Sequence, residues 1–197
     1  MANNRARNAN FDRVLIIGCT AAGKSTLARK LSKTLDSTYI ELDSLYWSDG
    51  WTPVSKDDFT RELKRRIRSD RWVIDGNYSH ARDILWPEAT LVIWLNYSFL
   101  LVFARLLQRT CKRILTNEIL YNGNRESLRR SFLSKHSIFW YLIRTYHLRR
   151  RQYRTLFDAM PFSNIYKIEV THPKRCKLIW CMLEKYLKNK YGDLSIT

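Results

Sequence analysis

The clearest chemical signal in the chain is a glycine-rich loop near its start. The loop reads Gly18-Cys19-Thr20-Ala21-Ala22-Gly23-Lys24-Ser25, followed by Thr26, and it is a full match to the pattern G-x4-G-K-[ST]. The two glycines let successive backbone N–H groups turn toward phosphate oxygens. The lysine adds a cation for the β- and γ-phosphates, and the serine hydroxyl can bind Mg²⁺. The motif predicts that Gly18 to Thr26 bind Mg²⁺·ATP, with Lys24 also acting in catalysis.

Two aspartates form a second candidate set, because each ends a short apolar segment that reads as a strand. Asp43 follows Tyr39-Ile40-Glu41-Leu42, and Asp75 follows Trp72-Val73-Ile74. Ligands of open α/β sheets bind outside the carboxyl ends of the strands. We expect Asp75 to hold magnesium together with Ser25 and to border the acceptor, and Asp43 to bind the acceptor hydroxyl and accept its proton. A cap on the following turn would also account for each carboxylate.

Arginines supply the third set. Arg105, Arg109 and Arg113 recur at every fourth position of a predicted helix, so they lie on nearly one face. Positions 105 to 154 hold 13 Lys or Arg and only two acids. Forked guanidinium groups suit a transferring phosphoryl group, so Arg109 and Arg113 are predicted to be catalytic in a lid that closes over the phosphates. Electrostatic attraction of polyanions is the alternative role.

Further acceptor-binding residues are expected beside the two aspartates. Trp47 lies in a polar loop after Asp43 and could stack on a base or sugar, although packing in the core would equally use such a side chain. Asn77 and Arg82 follow the Asp75-Gly76 pair. We predict that Trp47, Asn77 and Arg82 contact the acceptor.

The elements that would position these residues alternate between strand and helix. Five strands are predicted, at about 13–17, 39–43, 72–75, 90–95 and 165–170. The predicted helices cover about 24–35, 55–69, 99–120, from the 122–124 turn to 154, and 174–190, and Ser55 with Asp58 gives the helix at 55–69 a capping-box-like start. Uninterrupted apolar strands favour a parallel sheet that is covered on both faces. The expected fold is a doubly wound five-stranded α/β sheet of the P-loop type, forming one domain over 1–197 with a basic tail at 1–11 and a basic helical lid region at about 105–154.

Several of these segments together resemble a known family. The loop GCTAAGKSTLARKL, IELDSLYW, WVIDGNYS and LVIWLN are similar to adenylate-kinase-related P-loop kinases, and most similar to the bacterial group labelled DNA topology modulation proteins. The resemblance covers positions 12 to 135 and implies a nucleoside-monophosphate-kinase-like sheet with an arginine-bearing lid. Adenylate kinases have Phe-Pro-Arg after the Asp-Gly pair, where this chain has Asn77-Tyr78-Ser79. The resemblance therefore does not identify the acceptor.

Composition limits the choice of partners without deciding it. The chain has 197 residues, 45% of them hydrophobic, and a formal charge of +17. Such a surface attracts polyanions. The apolar run from Leu91 to Leu107 contains polar residues and reads as a strand, a turn and a helix, so no membrane span is expected. No secretory signal or disulfide framework is evident, and we expect a cytoplasmic location.

Three functions remain open. The first is an ATP-dependent phosphotransferase with ATP and Mg²⁺ as cofactors and a small molecule or nucleotide as the acceptor. The second is a nucleotide-regulated protein that binds DNA or RNA through its basic helices, whose charge would in any case attract nucleic acid non-specifically. The third, with less support, is a plain NTPase switch. No helix-turn-helix, zinc-finger or RNA-recognition signature supports the second.

Overall fold

A five-stranded parallel sheet forms the centre of the protein. The structure is a computed structural model and describes residues 10–124, 137–158 and 165–191. The strands are β1 (Arg13–Gly18), β2 (Thr38–Glu41), β3 (Trp72–Asp75), β4 (Leu91–Leu95) and β5 (Tyr166–Val170). Their order across the sheet is β2-β3-β1-β4-β5, and every neighbouring pair is parallel. The predicted doubly wound sheet is confirmed.

Helices cover both faces of the sheet. They are α1 (Lys24–Leu35), α2 (Leu42–Tyr46), α3 (Lys56–Arg66), α4 (Ser79–Glu88), α5 (Phe99–Leu115), α6 (Ile138–Asp158) and α7 (Cys176–Tyr191), with short 3₁₀ turns at Asp49–Trp51, Tyr121–Gly123 and Pro173–Arg175. Buried side chains of α1, α5 and α7 pack against one face, and those of α3 and α4 pack against the other. Burial on both faces explains why β4, Leu91 to Leu95, is apolar at every position.

Helix α6 crosses from one face of the sheet to the other over the carboxyl edge. Its first half contributes Phe139, Leu142 and Tyr146 to the core of the α1 face, whereas Tyr153 belongs to the core of the opposite face. The Tyr146 hydroxyl donates to the carbonyl oxygen of Tyr97, just beyond β4, at 2.8 Å. This crossing places the middle of α6 directly beside the strand ends that bear the predicted site.

Several element boundaries differ from the prediction. Strand β2 ends at Glu41, so Asp43 lies in the first turn of α2 and not at the end of a strand. Helix α3 starts after Ser55, whose hydroxyl accepts from the Asp58 N–H as the capping pattern predicted, but it ends at Arg66. Helix α5 ends at Leu115 because Asn117, with a φ of 50°, takes a left-handed conformation.

The predicted lid region is only partly described. Its α5 and α6 portions pack against the sheet through buried residues such as Leu106 and Tyr153, while residues 125–136 lie outside the described chain. The basic tail at 1–11 lies outside it up to residue 9. Movement of a lid therefore stays a prediction.

Candidate active site

The glycine-rich loop joins β1 to α1 at the carboxyl edge of the sheet, as its strand-to-helix context predicted. Gly18 and Gly23 have positive φ angles of 151° and 94°. A Cβ on Gly18 would lie 2.8 Å from the backbone oxygen of Leu95, so this position excludes any larger residue. Within the loop, the Lys24 Nζ donates to the Cys19 carbonyl at 3.1 Å. The loop and its lysine are thus held in a compact cradle at the start of α1.

Asn77 fixes the first residue of this cradle. Its Nδ2 donates to the Gly18 carbonyl, and its Oδ1 accepts from the Gly18 N–H at 3.3 Å. Asn77 was expected among the acceptor-binding residues, and in the structure its carboxamide holds the glycine-rich loop from the segment after β3. The guanidinium group of Arg149 donates in turn to the Asn77 carbonyl at 3.0 Å.

Ser25 and Asp75 meet beside the loop, as the sequence predicted for a magnesium pair. The Ser25 hydroxyl donates to Asp75 Oδ2 at 2.6 Å, and the Tyr39 hydroxyl donates to Oδ1 at 3.0 Å. Asp75 is only 3% exposed. Burial raises its pKa to about 6, although the hydrogen bonds from Ser25 and Tyr39 and the charge of Lys24 favour the carboxylate.

These residues fit Mg²⁺ on chemical grounds. A hydroxyl and a carboxylate are hard oxygen donors, which magnesium prefers, and the remaining ligands in phosphate-binding loops are phosphate oxygens and water. Burial is the main reason that the pKa of Asp75 is raised. A divalent cation bound there would favour the ionised carboxylate.

Asp43 lies in the first turn of α2, directly after the carboxyl end of β2. The Tyr78 hydroxyl donates to Asp43 Oδ1 at 2.7 Å, so helix α2 and the segment after β3 are joined at this carboxylate. The ring of Tyr78 packs on Tyr46 and Phe59, with centroid distances of 4.5 and 5.4 Å. Sequence reasoning did not find the Tyr78 contact, because the two residues are 35 positions apart.

Trp47 is half-buried and belongs to an aromatic cluster. Its ring meets Tyr46 and Trp51 edge-on at 4.9 and 5.8 Å. Two asparagines at the 3₁₀ turn that follows α5 hold the surrounding loop. Asn122 donates to the Trp47 carbonyl at 2.6 Å, and Asn124 accepts from the Trp51 N–H at 2.7 Å. The loop that follows Asp43 is thus clasped to the beginning of the predicted lid region.

The three arginines of α5 lie in different surroundings. The Arg105 Nη1 donates to the Ala22 carbonyl in the glycine-rich loop at 3.2 Å, and its guanidinium lies over the Tyr97 ring. Arg109 is half-buried, and Arg113 pairs with Glu118 at 3.7 Å. Of these three arginines, Arg105 thus makes a hydrogen bond to the loop. The catalytic roles of Arg109 and Arg113 stay predictions.

Helix α6 brings a further arginine that the prediction missed. Arg149 lies within reach of the loop, since its positive charge acts on the Cys19 thiol while burial raises the pKa of that thiol. The signal was present in the spacing of Tyr146, Arg149 and Tyr153, which share one helix face. The surrounding run of arginines obscured it.

Comparison with solved structures identifies the architecture. A gluconokinase from Sinorhizobium meliloti 1021 superposes with a TM-score of 0.51 at 17% identity, over 94% of this chain and 99% of the other. Shikimate kinase from Acinetobacter baumannii, solved in complex with shikimate, gives 0.52 at 15% identity over 93% and 97%. Shikimate kinase from Bacteroides thetaiotaomicron gives 0.52 at 13% identity over 90% and 97%.

The chain has the nucleoside-monophosphate-kinase-like P-loop fold. Its likeness to these small kinases is one of structure at low sequence identity. No protein-family model and no curated protein matches the sequence, so the resemblance to the topology modulation group stays a prediction. Among the described residues, no helix is long and apolar enough to cross a membrane.

Proposed function

We propose that this protein is an ATP-dependent phosphotransferase that acts on a small molecule. The observation that carries the proposal is the contact between Ser25 and Asp75 beside the phosphate-binding loop. It provides a hydroxyl and a carboxylate for Mg²⁺ at the place where the loop would hold the β- and γ-phosphates. The low-identity structural likeness to a gluconokinase and shikimate kinases is consistent with this function.

Each residue then has a defined task. The loop from Gly18 to Thr26 binds the phosphates, and Lys24 leaves the Cys19 carbonyl to meet them. Bound Mg²⁺ would offset phosphate charge, with Ser25 and Asp75 as its protein donors. Asn77 holds the loop in place, and Arg105 anchors it from α5.

Asp43 acts on the acceptor. Its carboxylate lies at the same edge of the sheet and is held by the Tyr78 hydroxyl, which leaves its other oxygen for an acceptor hydroxyl. Trp47 and Arg82 border this region, and Arg109 and Arg113 are proposed to meet the phosphoryl group when the lid region closes. Closure would also exclude water, which otherwise competes with the acceptor.

A screen for phosphoryl transfer tests the proposal. The protein is incubated with γ-labelled ATP and Mg²⁺ against nucleosides, nucleotides, sugars and small hydroxy acids, and labelled products are separated. We expect label on one chemical class of acceptor. Release of inorganic phosphate alone, whatever compound is added, would indicate a nucleotide-hydrolysing switch and contradict the proposal.

Binding of nucleic acid is a second candidate function with one observation in its favour. On α6, Arg144 lies over the exposed ring of Trp140 at 6.0 Å, and Arg150 and Arg151 are exposed further along the same helix. Charge and an aromatic surface of this kind retain single-stranded nucleic acid without reading its sequence. We treat such binding as additional to catalysis, because it involves a surface other than the loop. The cytoplasmic location stays a prediction.

A further inference from the structure

The exposed apolar side chains of this protein are concentrated on two helices, α5 and α6. Leu100 and Leu107 on α5 are 79% and 41% exposed, and Trp140 and Ile143 on α6 are 50% and 45% exposed. We call these four side chains the apolar patch. In the described part of the chain, the other large exposed hydrophobic residues lie on the same two helices, just after α5, or on α7. Clustered hydrophobic side chains at a surface mark contact with another molecule, whereas scattered ones do not.

Ring contacts show that the two halves of the patch are neighbours. Phe103 of α5 packs on Phe139 of α6 with the ring centroids 5.6 Å apart. Phe99 packs on Tyr146 at 5.3 Å, so the two helices run antiparallel beside each other. The buried residues of α5 and of the first half of α6 belong to one core. The exposed sides of both helices therefore face away from that core and form one continuous surface.

This surface is basic and carries no acid. Neither α5 nor α6 contains an aspartate or glutamate before Asp158, the last residue of α6. Arg144 lies over the Trp140 ring at 6.0 Å. Trp140, Arg144 and Arg151 share one exposed face of α6 by their helical spacing. A partner complementary to this surface is therefore both apolar and anionic.

The types of side chain distinguish between three possible partners. Nucleic acid would contact the arginines and the Trp140 ring, but leucine and isoleucine cannot stack on bases, so the α5 side would stay exposed. A second copy of this chain would bring two basic surfaces together, which their charge opposes. An anionic bilayer suits the whole surface, because arginines meet lipid headgroups, aliphatic side chains enter the acyl boundary, and tryptophan prefers the interface between them.

We propose that the surface formed by α5 and α6 binds peripherally to an anionic lipid bilayer. The apolar patch inserts at the interface, and Arg144 and Arg151 contact the headgroups. The helices lie against the bilayer without spanning it. The proposal does not depend on phosphoryl transfer, since none of its residues belongs to the glycine-rich loop or to the pair of aspartates.

Binding to liposomes tests the proposal. The full chain is floated with liposomes of phosphatidylcholine alone and with liposomes that also contain phosphatidylglycerol, at physiological salt. We expect binding to the anionic liposomes and little binding to the neutral ones, because the basic side chains and the apolar patch both contribute. A protein that does not bind the anionic liposomes would overturn the proposal.

Charge reversal distinguishes this surface from the net charge. Arg144→Glu combined with Arg151→Glu should lower the affinity for anionic liposomes by about tenfold or more. Lys64→Glu combined with Arg68→Glu is the matched control. It makes the same change of charge at exposed positions on α3 and just after it, and α3 packs on the opposite face of the sheet. Equal losses of affinity in the two double variants would show attraction by net charge alone and overturn the proposal.

Truncation of the aliphatic side chains tests the apolar contact. Leu100→Ala combined with Ile143→Ala should lower the affinity for anionic liposomes by about tenfold or more, because less apolar surface leaves water. The melting temperature should change little, since both side chains are exposed. Leu178→Ala, which truncates an exposed leucine on α7, is the control and should keep the wild-type affinity. Wild-type affinity in the double variant would contradict insertion of the patch.

Tryptophan fluorescence reports the insertion itself. Trp140 is exposed, whereas the other six of the seven tryptophans are buried or half-buried. Bromine atoms on the acyl chains of the anionic liposomes should therefore quench the emission of Trp140 above all, and Trp140→Phe should remove most of that quenching. Equal quenching in the wild type and in Trp140→Phe would contradict the proposal.

Two other results would assign the surface to a different partner. The first is retention of a single-stranded oligonucleotide at physiological salt, lost on reversal of Arg144 and Arg151, in a protein that ignores anionic liposomes. The second is a dimer in sedimentation analysis that truncation of Leu100 and Ile143 dissociates, again without binding to liposomes. Either result would overturn the lipid proposal. A failed screen for phosphoryl transfer would contradict the proposed function alone, because liposome binding is measured without ATP.

Discussion

At the scale of single residues, the site depends on a few side chains that each serve a neighbour. Asp75 is held by Ser25 and Tyr39, Asp43 is held by Tyr78, and Asn77 grips Gly18 through both halves of its carboxamide. Such contacts fix the orientation of a carboxylate or a loop before any ligand arrives. Preorganisation of this kind is what phosphoryl transfer demands of a protein.

The role of Asp75 leads to the first prediction. Asp75→Asn preserves the shape of the side chain but weakens its affinity for Mg²⁺, so turnover should fall by about 10²- to 10⁴-fold. Affinity for ATP without metal should change little, because the loop itself is intact. Steady-state kinetics and calorimetry with and without EDTA measure both quantities. Asp83→Asn, which changes an exposed aspartate on α4, is the control. If Asp75→Asn keeps the wild-type kcat, the prediction is wrong and Asp75 only caps a turn.

Residue types near the loop were predictable, but their partners were only partly so. The pattern G-x4-G-K-S after an apolar strand is a local signal, and the loop forms where it predicts. Ser25 and Asp75 are 50 positions apart, yet the strand-end argument brought them together. Nothing local indicates that Asn77 holds Gly18 or that Tyr78 holds Asp43, because those contacts depend on the order of strands in the sheet.

At the scale of elements, hydrogen bonds join the loop after α2 to the 3₁₀ turn that follows α5, and we call this contact the clasp. Asn124 is buried and bonds Trp51 and Ser48 at 2.7 and 2.9 Å, while Asn122 bonds the Trp47 carbonyl. These bonds span more than 70 positions of sequence. They hold the aromatic cluster near Asp43 in one arrangement and connect it to the predicted lid region.

Loss of this clasp should affect both stability and the acceptor. Asn124→Ala leaves two backbone groups without their buried partner, so the free energy of unfolding should fall by about 1–3 kcal/mol. KM for the acceptor should rise while ATP affinity is retained, since the loop around Gly18 is untouched. Denaturant unfolding and calorimetry measure these effects. Asn189→Ala, at an exposed position of α7, is the control and should change neither the free energy of unfolding nor the KM for the acceptor. If Asn124→Ala leaves the KM for the acceptor unchanged, these hydrogen bonds stabilise the fold but do not contribute to acceptor binding.

Helix α6 is tied to the sheet by a charged contact that sets a pH dependence. Arg154 donates to Glu169 on β5 at 2.7 and 2.9 Å, and Asn96 donates to the same carboxylate. Burial opposes ionisation of Glu169, but these hydrogen bonds and the charge of Arg154 outweigh it and hold its pKa below the usual value. The ion pair therefore stabilises the fold at neutral pH.

The sign of the effect follows from that lowered pKa. The stabilisation is complete above the pKa of the unfolded glutamate, about 4.3, and is lost as pH falls through the lower pKa of the folded state. Glu169→Gln should reduce the free energy of unfolding by about 1 kcal/mol at pH 7, as expected for a partly exposed pair. In urea unfolding from pH 7 to pH 3, the difference in the free energy of unfolding between wild type and Glu169→Gln should decrease toward zero. A difference that is constant with pH would contradict an ionic contribution.

The ends of helices and strands were predicted well where a local sequence pattern, such as a capping pair, marks them, and poorly elsewhere. Ser55 and Asp58 mark the start of α3 correctly. Asp43 was placed at a strand end and lies in a helix, because Leu42 buries itself as the first residue of α2 and ends the strand early. The crossing of α6 between the two faces has no local signature, since it depends on how the sheet edge meets Tyr146 and Tyr153.

At the scale of the whole molecule, the charge of +17 ensures some affinity for polyanions. Retention of DNA in dilute buffer therefore carries no information about function. Non-specific binding through roughly six to ten phosphate contacts should weaken about 10³- to 10⁵-fold between 50 and 200 mM salt. We expect that loss, without sequence preference, in wild type and Lys24→Ala alike. Fluorescence anisotropy with unrelated duplexes measures it, and sequence-selective binding at physiological salt would instead favour the nucleic-acid function.

The central claim is that the loop from Gly18 to Thr26 binds Mg²⁺·ATP. Isothermal titration calorimetry of ATP into wild type, Lys24→Ala and Lys30→Ala tests it most directly, with circular dichroism to verify that each protein is folded. Lys30 is an exposed lysine on the same helix, so its loss removes equal charge away from the loop. We predict Mg²⁺-dependent binding by wild type and Lys30→Ala and none by folded Lys24→Ala. Undiminished ATP affinity in Lys24→Ala would contradict the account.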